Sequence, residues 1–336
     1  MKIVLFEVPI SEQEVFKIFF NDLEVVYLEE KLTADTAHKA KDAEVISVFI
    51  NSTVNKDVLD LLPNLKYIST RSTGVDHIDL SYCEGKGVKV SNVPAYGSKT
   101  VAEFTFALIT ALSRNVYGAV QKLKQDGVFA IEGLRGFDLH GKTLGVIGTG
   151  KIGKNVIKIA KGFDMNVVAY DMYPDKEYSK EFDFTYKSLL EVLGESDIIT
   201  LHTPYTKESY HLINRENINS IKKGAYVINT ARGELIDTDV LIEALLDGRV
   251  AGAGLDVLEG ERELKEELNL LSSPDNSLAI KNYKTLLEDK ALVDMKNVIV
   301  TPHIAFYSKE AEWEIVKTTA DNIRGFISDR PSNLIK

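Results

Sequence analysis

Thr143-Leu144-Gly145-Val146-Ile147-Gly148-Thr149-Gly150-Lys151-Ile152-Gly153 is the stretch whose reading decides the fold. An apolar, strand-like run, Thr143–Ile147, passes directly into G-x-G-x-x-G, and helical patterning follows over Ile152–Gly162. A second strand-like run, Asn166–Tyr170, then ends at Asp171, 21 residues beyond Gly150. Strand, glycine loop, helix, strand and acid at this interval form the pattern of a dinucleotide-binding unit. Gly148 permits the tight turn, Gly150 lets the backbone approach a pyrophosphate, and Gly153 lets helix and strand pack closely. Lys151 and Ile152 open the helix, whose free amides and positive end face the phosphates. Asp171 can accept hydrogen bonds from the adenosine ribose and would repel a 2′-phosphate, and Met172-Tyr173-Pro174 supplies no arginine to offset it. NAD is therefore expected rather than NADP.

Working outward, strand-like runs continue at Asp197–Leu201, Ala225–Asn229, Val250–Val257 and Val298–Thr301, giving six strands in this half. Upstream, Lys2–Val8, Val25–Leu28, Val45–Ile50, Tyr67–Thr70 and Val88–Asn92 alternate with helical stretches. Alternation of this kind predicts an α/β fold with parallel sheets covered by helices, and 336 residues predict about two domains. Between the two series, Lys99–Asp126 reads as one long helix, apolar on more than one stripe. It is either a domain-crossing helix that also packs on a second subunit, or wholly internal. The final helix, near Lys309–Ser328, cannot form a domain alone, so the chain is expected to cross back. The expected division is residues 1–99 with 303–336 as a discontinuous substrate domain, and 100–302 as the nucleotide domain, with 100–126 as its crossing and dimerisation helix. Glu259–Asp294, charged and then Ser/Asn-rich, reads as an insertion with a solvated face.

Composition narrows the function. The formal charge is −10 and no long basic run occurs, which argues against a nucleic-acid partner. Cys83 is the single cysteine, so a disulfide framework or a cysteine-rich metal site is not expected, and no large cluster of metal ligands stands out. The opening apolar run is too short for a signal peptide, and no apolar stretch reaches membrane-spanning length, so a cytoplasmic chain is expected.

Hydride chemistry on a hydroxyl or ketone needs a proton acceptor or donor that titrates near neutrality, and histidine suits both tasks. Of the six histidines, His303 is favoured because Thr301-Pro302-His303 ends the last strand of the nucleotide sheet, where ligands gather. Its far nitrogen needs a carboxylate, for which Glu259, Glu261 and Glu263 are all candidates by spacing. Arg232 follows another strand at the same edge and could hold a substrate carboxylate with its planar fork.

Over essentially its whole length the chain resembles the D-isomer-specific 2-hydroxy acid dehydrogenases. The likeness rests on Arg71-Ser72-Thr73-Gly74-Val75-Asp76, Val93-Pro94-Ala95-Tyr96, the glycine-rich loop, His202-Thr203-Pro204 with His211-Leu212-Ile213-Asn214, Asn229–Gly233, Gly254-Leu255-Asp256-Val257 and Thr301-Pro302-His303. The resemblance implies a Rossmann domain inserted into a flavodoxin-like substrate domain, and a catalytic set of His303, Glu261 and Arg232. Glu261 is chosen because it stands five residues after Asp256, the family's spacing. Gly74 and Val75 are implied to grip the substrate carboxylate through backbone amides, with Tyr96 and Tyr307 as further substrate residues. Thr230, Ala231 and Asp256 are implied partners of the nicotinamide, with Thr203 and Pro204 forming the wall behind its ring. A small 2-oxo or 2-hydroxy acid is the implied substrate and a homodimer the implied assembly. Arg262 departs from the proline that much of the family carries after this glutamate. That run and the long insertion resemble the fermentative D-lactate branch. Bulkier 2-oxo acids, such as phenylpyruvate or 2-oxoisocaproate, are the alternative substrates, and an NAD-sensing corepressor is a remote one.

Overall fold

The computed structural model describes residues 1–261 and 283–335, so Arg262, Glu263 and most of the expected insertion lie outside the described residues. The chain divides into two compact units, residues 1–97 with 307–336, and residues 98–306.

The first unit carries a five-stranded, all-parallel sheet: β1 (Ile3–Leu5), β2 (Val25–Tyr27), β3 (Val45–Val48), β4 (Tyr67–Thr70) and β5 (Lys89–Ser91). The order is β2-β1-β3-β4-β5, the flavodoxin-like arrangement. These strands are short and β-branched, and β1, β3 and β4 are buried along their full length, as a sheet covered on both faces requires. The helix Lys309–Ile327 lays Val316, Ala320 and Ile323 against Ile3, Leu5, Phe16, Val45 and Tyr67. Tyr67 stacks flat on Phe326 at 4.3 Å between ring centroids, so the chain's last helix completes a core that its first residues begin.

The second unit holds β6 (Thr143–Ile147), β7 (Asn166–Tyr170), β8 (Thr185–Tyr186), β9 (Ile198–Leu201), β10 (Ala225–Asn229), β11 (Val250–Leu255) and β12 (Val298–Val300). Their order is β12-β11-β10-β9-β6-β7-β8, all parallel. This is the doubly wound 3-2-1-4-5-6 order with one strand added at the β11 edge. Seven strands replace the expected six, because β8 is a two-residue edge strand whose Thr-Tyr pair makes no apolar run. The order reverses between β6 and β9, so the carboxyl ends of these two strands frame the switch point where such sheets bind nucleotides.

The expected single helix over Lys99–Asp126 is two helices, Ser98–Ser113 and Val116–Asp126, both in the second unit. The break falls at Asn115, whose φ of 50° no helix can continue through and which asparagine tolerates better than most residues. The first helix buries Val101, Ala102, Phe106, Leu108 and Ile109, whereas the second buries no residue within the chain. Among the described residues no helix is long and apolar enough to cross a membrane.

Candidate active site

At the switch point, the glycine loop is built by close backbone approach. Gly148 sits at φ +91°, and a Cβ there would stand 2.8 Å from both His202 C and Thr203 N, so no larger residue fits. Its N–H donates to Tyr170 O, and His202 N–H donates to Ile147 O, which ties the loop to β7 and β9. Gly150 caps the helix Lys151–Gly162 in extended conformation and faces open space, as needed where a ligand must touch backbone. Gly153 is buried on that helix beside Val156 and Ile157, with the Gly148 carbonyl against its Cα.

Asp171 at the end of β7 accepts from Thr149 N–H at 2.6 Å and Thr149 Oγ1 at 2.8 Å on one oxygen, and from Tyr173 N–H at 2.8 Å on the other. This fixes a half-buried carboxylate beside the loop, while Met172 and Tyr173 are exposed. A pyrophosphate at Gly150 and a ribose diol at Asp171 fit these groups. Asp171→Ala is expected to raise the KM for NADH by about ten-fold or more, as for loss of charge-assisted hydrogen bonds. It should also narrow the preference over NADPH, which steady-state kinetics with both cofactors would check.

Thr203 half-covers Ile147 O through its hydroxyl, at 3.3 Å, and Pro204 beside it is exposed. His202 is buried, with Nε2 2.9 Å from Thr200 Oγ1 and, among the described residues, no hydrogen-bond partner on Nδ1. Burial pushes its pKa down to about 3. The unfolded chain takes up this proton near pH 6.5, the folded chain only near 3, so stability falls as pH drops through that window. The slope from this group alone approaches about 1.4 kcal/mol per pH unit. His202→Gln should therefore show a flatter loss of melting temperature between about pH 6 and pH 4 than the parent chain. Equal acid slopes in the two proteins would contradict it.

Three neighbouring strands, β10, β11 and β12, are followed at their carboxyl ends by the candidate side chains Arg232, Glu261 and His303. After β10, Asn229 folds the chain back on itself: its Oδ1 accepts from Ala231 N–H at 3.0 Å and its Nδ2 donates to Arg232 O at 2.7 Å. Arg232 is thereby presented half-buried, one guanidinium nitrogen on Ala231 O at 2.7 Å. Thr230 is buried against Thr105, the hydroxyls 3.0 Å apart. After β11, the Asp256 carboxylate accepts from Thr301 Oγ1, Ile304 N–H and Ala305 N–H at 2.6, 2.9 and 2.8 Å. Burial pushes this carboxyl's pKa up against the pull of those bonds. Asp256 is 1% exposed, so its first task is to fold residues 301–305; a cofactor amide would have to share oxygens already engaged by protein. Through this latch residues 303–306 belong with the second unit, rather than with the first as expected from sequence.

His303 leaves β12 at φ +56°, its N–H on Asp256 O at 2.9 Å. Its Nδ1 lies 3.1 Å from both oxygens of Glu261. Both side chains are partly exposed, so the imidazole is held at Nδ1 without being sealed from solvent. Of the three glutamates left open by spacing, Glu261 is the one on His303; Glu259 pairs with His211 Nε2 at 2.9 Å, and Glu263 lies outside the described residues. Sequence reading had no role for the His211–Glu259 pair, although His211-Leu212-Ile213-Asn214 was noted as a motif. Glu234, beside this group, has its carboxyl pKa pushed up, mainly by burial, with Glu261 and Glu259 adding and Arg232 opposing.

On the first unit, Gly74 and Val75 are half-buried in the loop after β4, and Tyr96 is half-buried near the unit's boundary. The loop is braced from within: Ser72 Oγ donates to Gly74 O at 2.6 Å, and Arg71 is buried under it on Phe6 O, Glu7 O and Ser47 Oγ. Burial lowers the Arg71 pKa to about 10, with Glu7 and Glu12 holding it up. Tyr307 is 61% exposed. Arg71 was noted only as part of a motif, since an arginine facing inward has the same letter as one facing a ligand.

The profile of the D-isomer specific 2-hydroxyacid dehydrogenase NAD binding domain matches residues 106–305. An aromatic 2-oxoacid reductase of Clostridium sporogenes is 38% identical over 97% of this chain and 96% of its own length. A D-lactate dehydrogenase of Escherichia coli is 37% identical over 93% of this chain and 91% of its own. Among solved structures, D-lactate dehydrogenase from Aquifex aeolicus, complexed with NAD and lactic acid, superposes with a TM-score of 0.86 at 36% identity, covering 98% of this chain and 96% of that one.

Proposed function

From the premise that the chain belongs to the D-isomer-specific 2-hydroxyacid dehydrogenase family, NAD-dependent oxidoreductases, we propose that it interconverts pyruvate and D-lactate. The observation that carries the catalytic part is the partly exposed His303 imidazole with both Glu261 oxygens at 3.1 Å from Nδ1. A carboxylate there fixes the tautomer and stabilises the imidazolium, which leaves Nε2 to give its proton to a ketone oxygen or take one from an alcohol. Arg232, two strands away after β10, serves the substrate carboxylate as a bidentate, permanently charged partner. NAD supplies the hydride acceptor, and NADH the donor, at C2 of the acid. Gly148, Gly150, Lys151, Ile152, Gly153 and Asp171 are assigned to its phosphates and ribose, and Thr203, Pro204, Thr230, Ala231 and Asp256 to the nicotinamide end. On the first unit, Gly74, Val75, Tyr96 and Tyr307 are assigned to the acid by likeness to the family.

Lactate is favoured by the relatives of E. coli and A. aeolicus. A second reading, a bulkier or aromatic 2-oxo acid, is favoured by the Clostridium relative, which covers as much of the chain. Following NADH consumption with pyruvate, phenylpyruvate, 2-oxoisocaproate, glyoxylate and hydroxypyruvate separates the two. Highest kcat/KM with pyruvate and a D-lactate product supports the first. Preference for phenylpyruvate replaces the substrate and keeps the site. No turnover with any of these acids, while NADH still binds, would end the enzyme reading.

A homodimer is part of the same proposal. The helix Val116–Asp126 and the following loop leave Val116, Tyr117, Val120, Leu123, Phe129 and Ile131 between 45% and 93% exposed, an apolar surface of the kind monomers rarely display. Light scattering of the purified chain tests it, and a monomer at micromolar concentration would contradict it.

A further inference from the structure

Beside the His303–Glu261 pair stands a second pair of the same make. His211 Nε2 lies 2.9 Å from Glu259 Oε1, and its Nδ1 lies 3.7 Å from Asp237 Oδ2. Its ring stacks on Tyr210, 3.9 Å between centroids with the planes 18° apart. The other Glu259 oxygen accepts from Thr238 Oγ1 at 2.9 Å, and the Tyr210 hydroxyl reaches Oε1 at 3.5 Å. His211 holds φ +48°, a sparsely populated region for a non-glycine residue, and is kept there by backbone bonds: its N–H donates to Glu234 O, and Ile213 N–H donates to Leu235 O.

We propose that His211 is a positioning residue for the reaction: by gripping Glu259 it fixes the turn Leu258–Glu261, and so keeps the Glu261 carboxylate on His303. The inference rests on the catalytic reading of His303 and Glu261 above. The turn has a floor but needs a side tie. Below it, Gly233 touches Leu258 and Glu259 so closely that a Cβ would stand 2.1 Å from Leu258 C and 2.3 Å from Glu259 N. Beyond it, Gly260 meets Thr285 and Asp289 of the helix Tyr283–Asp294. Glu259 supplies the tie, and its partners lie on segments anchored independently of the turn. Charge makes the tie necessary. Glu234, Asp237, Glu259, Glu261 and Asp289 gather around this turn, with the Arg232 guanidinium and the His211 and His303 imidazoles facing them. Without His211, the repulsion between Glu259 and its neighbours acts on the turn itself, two residues from Glu261.

The test uses the full chain with NADH and pyruvate. His211→Ala is expected to lower kcat about ten-fold or more, with the KM for NADH within about two-fold of the parent. The alkaline limb of the reduction profile should move to lower pH, because an imidazolium without its carboxylate is less stable. His211→Gln keeps an N–H at similar reach without titrating, and should restore most of kcat; a merely space-filling role would not be rescued in this way. Glu259→Ala, which removes the tie from its other end, should lower kcat in the same direction as His211→Ala, and carries the test alone if His211→Ala does not fold. Parental kcat and an unmoved alkaline limb in these variants would overturn the proposal. A His303→Ala control separates the two levels. If that variant keeps full turnover, the catalytic reading falls. The His303 imidazole, followed by NMR across pH, then decides the positioning claim: a lower midpoint in Glu259→Ala supports it, and an unchanged midpoint overturns it.

Discussion

His303→Ala is expected to reduce 2-oxo acid turnover by about 10²–10⁴-fold, the range lost when general acid–base catalysis is removed. NADH affinity should change little, because the glycine loop and Asp171 lie at the ends of β6 and β7, away from β12 in the sheet order. The fold should persist, since Asp256 secures residues 301–305 through the Thr301 hydroxyl and the backbone amides of Ile304 and Ala305. His303 occupies φ +56°, so alanine there adds a backbone cost of about 1–2 kcal/mol. His303→Asn avoids most of it, because asparagine tolerates that region, and it should lose activity to a similar degree. Stopped-flow and steady-state rates, with NADH binding followed by fluorescence, read both quantities. Turnover within about three-fold of the parent in both variants would remove His303 from the chemistry.

Gly233→Ala is expected to cost about 3 kcal/mol or more of stability, at or above the upper end of ordinary overpacking. The added methyl would meet Leu258 C, Leu258 O and Glu259 N at 2.1, 2.2 and 2.3 Å, all backbone atoms with no rotamer to yield. Relief requires the Arg232–Gly233 segment and the Leu258–Glu261 segment to separate, and these carry two of the three proposed catalytic side chains. A displacement of about 1 Å between them should lower kcat on the order of 10²-fold, even in the folded fraction. Thermal and urea unfolding would measure the first effect, and turnover well below the melting temperature the second. A variant as stable and as active as the parent would mean that the two segments part freely.

The parts of this molecule that sequence made legible are those where one residue type does one job. The glycine loop with its flanking strands and Asp171 could be read as a unit, because a tight turn, a helix end and an acid closing the second strand each demand a particular side chain at a fixed spacing, and the structure brings them together. His303 was legible because the end of a strand at the carboxyl edge narrows what a histidine can face. Glu261 was not legible from local pattern, since Glu259, Glu261 and Glu263 share one letter and alternate along the chain; likeness to the family picked it, and the fold turns it toward His303 and Glu259 toward His211. Asp256 was noted by family likeness as a cofactor partner, yet its carboxylate spends three hydrogen bonds on residues 301–305, a long-range use that no local pattern encodes. The short β8 and the break at Asn115 escaped for a simpler reason: two residues make no period, and a left-handed turn inside an apolar run leaves hydrophobicity unchanged.

The discontinuous first unit has a consequence for biosynthesis. Its sheet strands are all translated within the first 97 residues, but the helix that covers Ile3, Leu5, Val45 and Tyr67 is encoded by residues 309–327. At bacterial-to-eukaryotic translation rates of 5–20 residues per second, the intervening stretch takes roughly 10–40 s to emerge. During that time the second unit can complete its own sheet, while the first holds an uncovered apolar face on the ribosome. Nascent chains should therefore recruit holding chaperones through the N-terminal sheet, and should release them only as the last helix clears the exit tunnel.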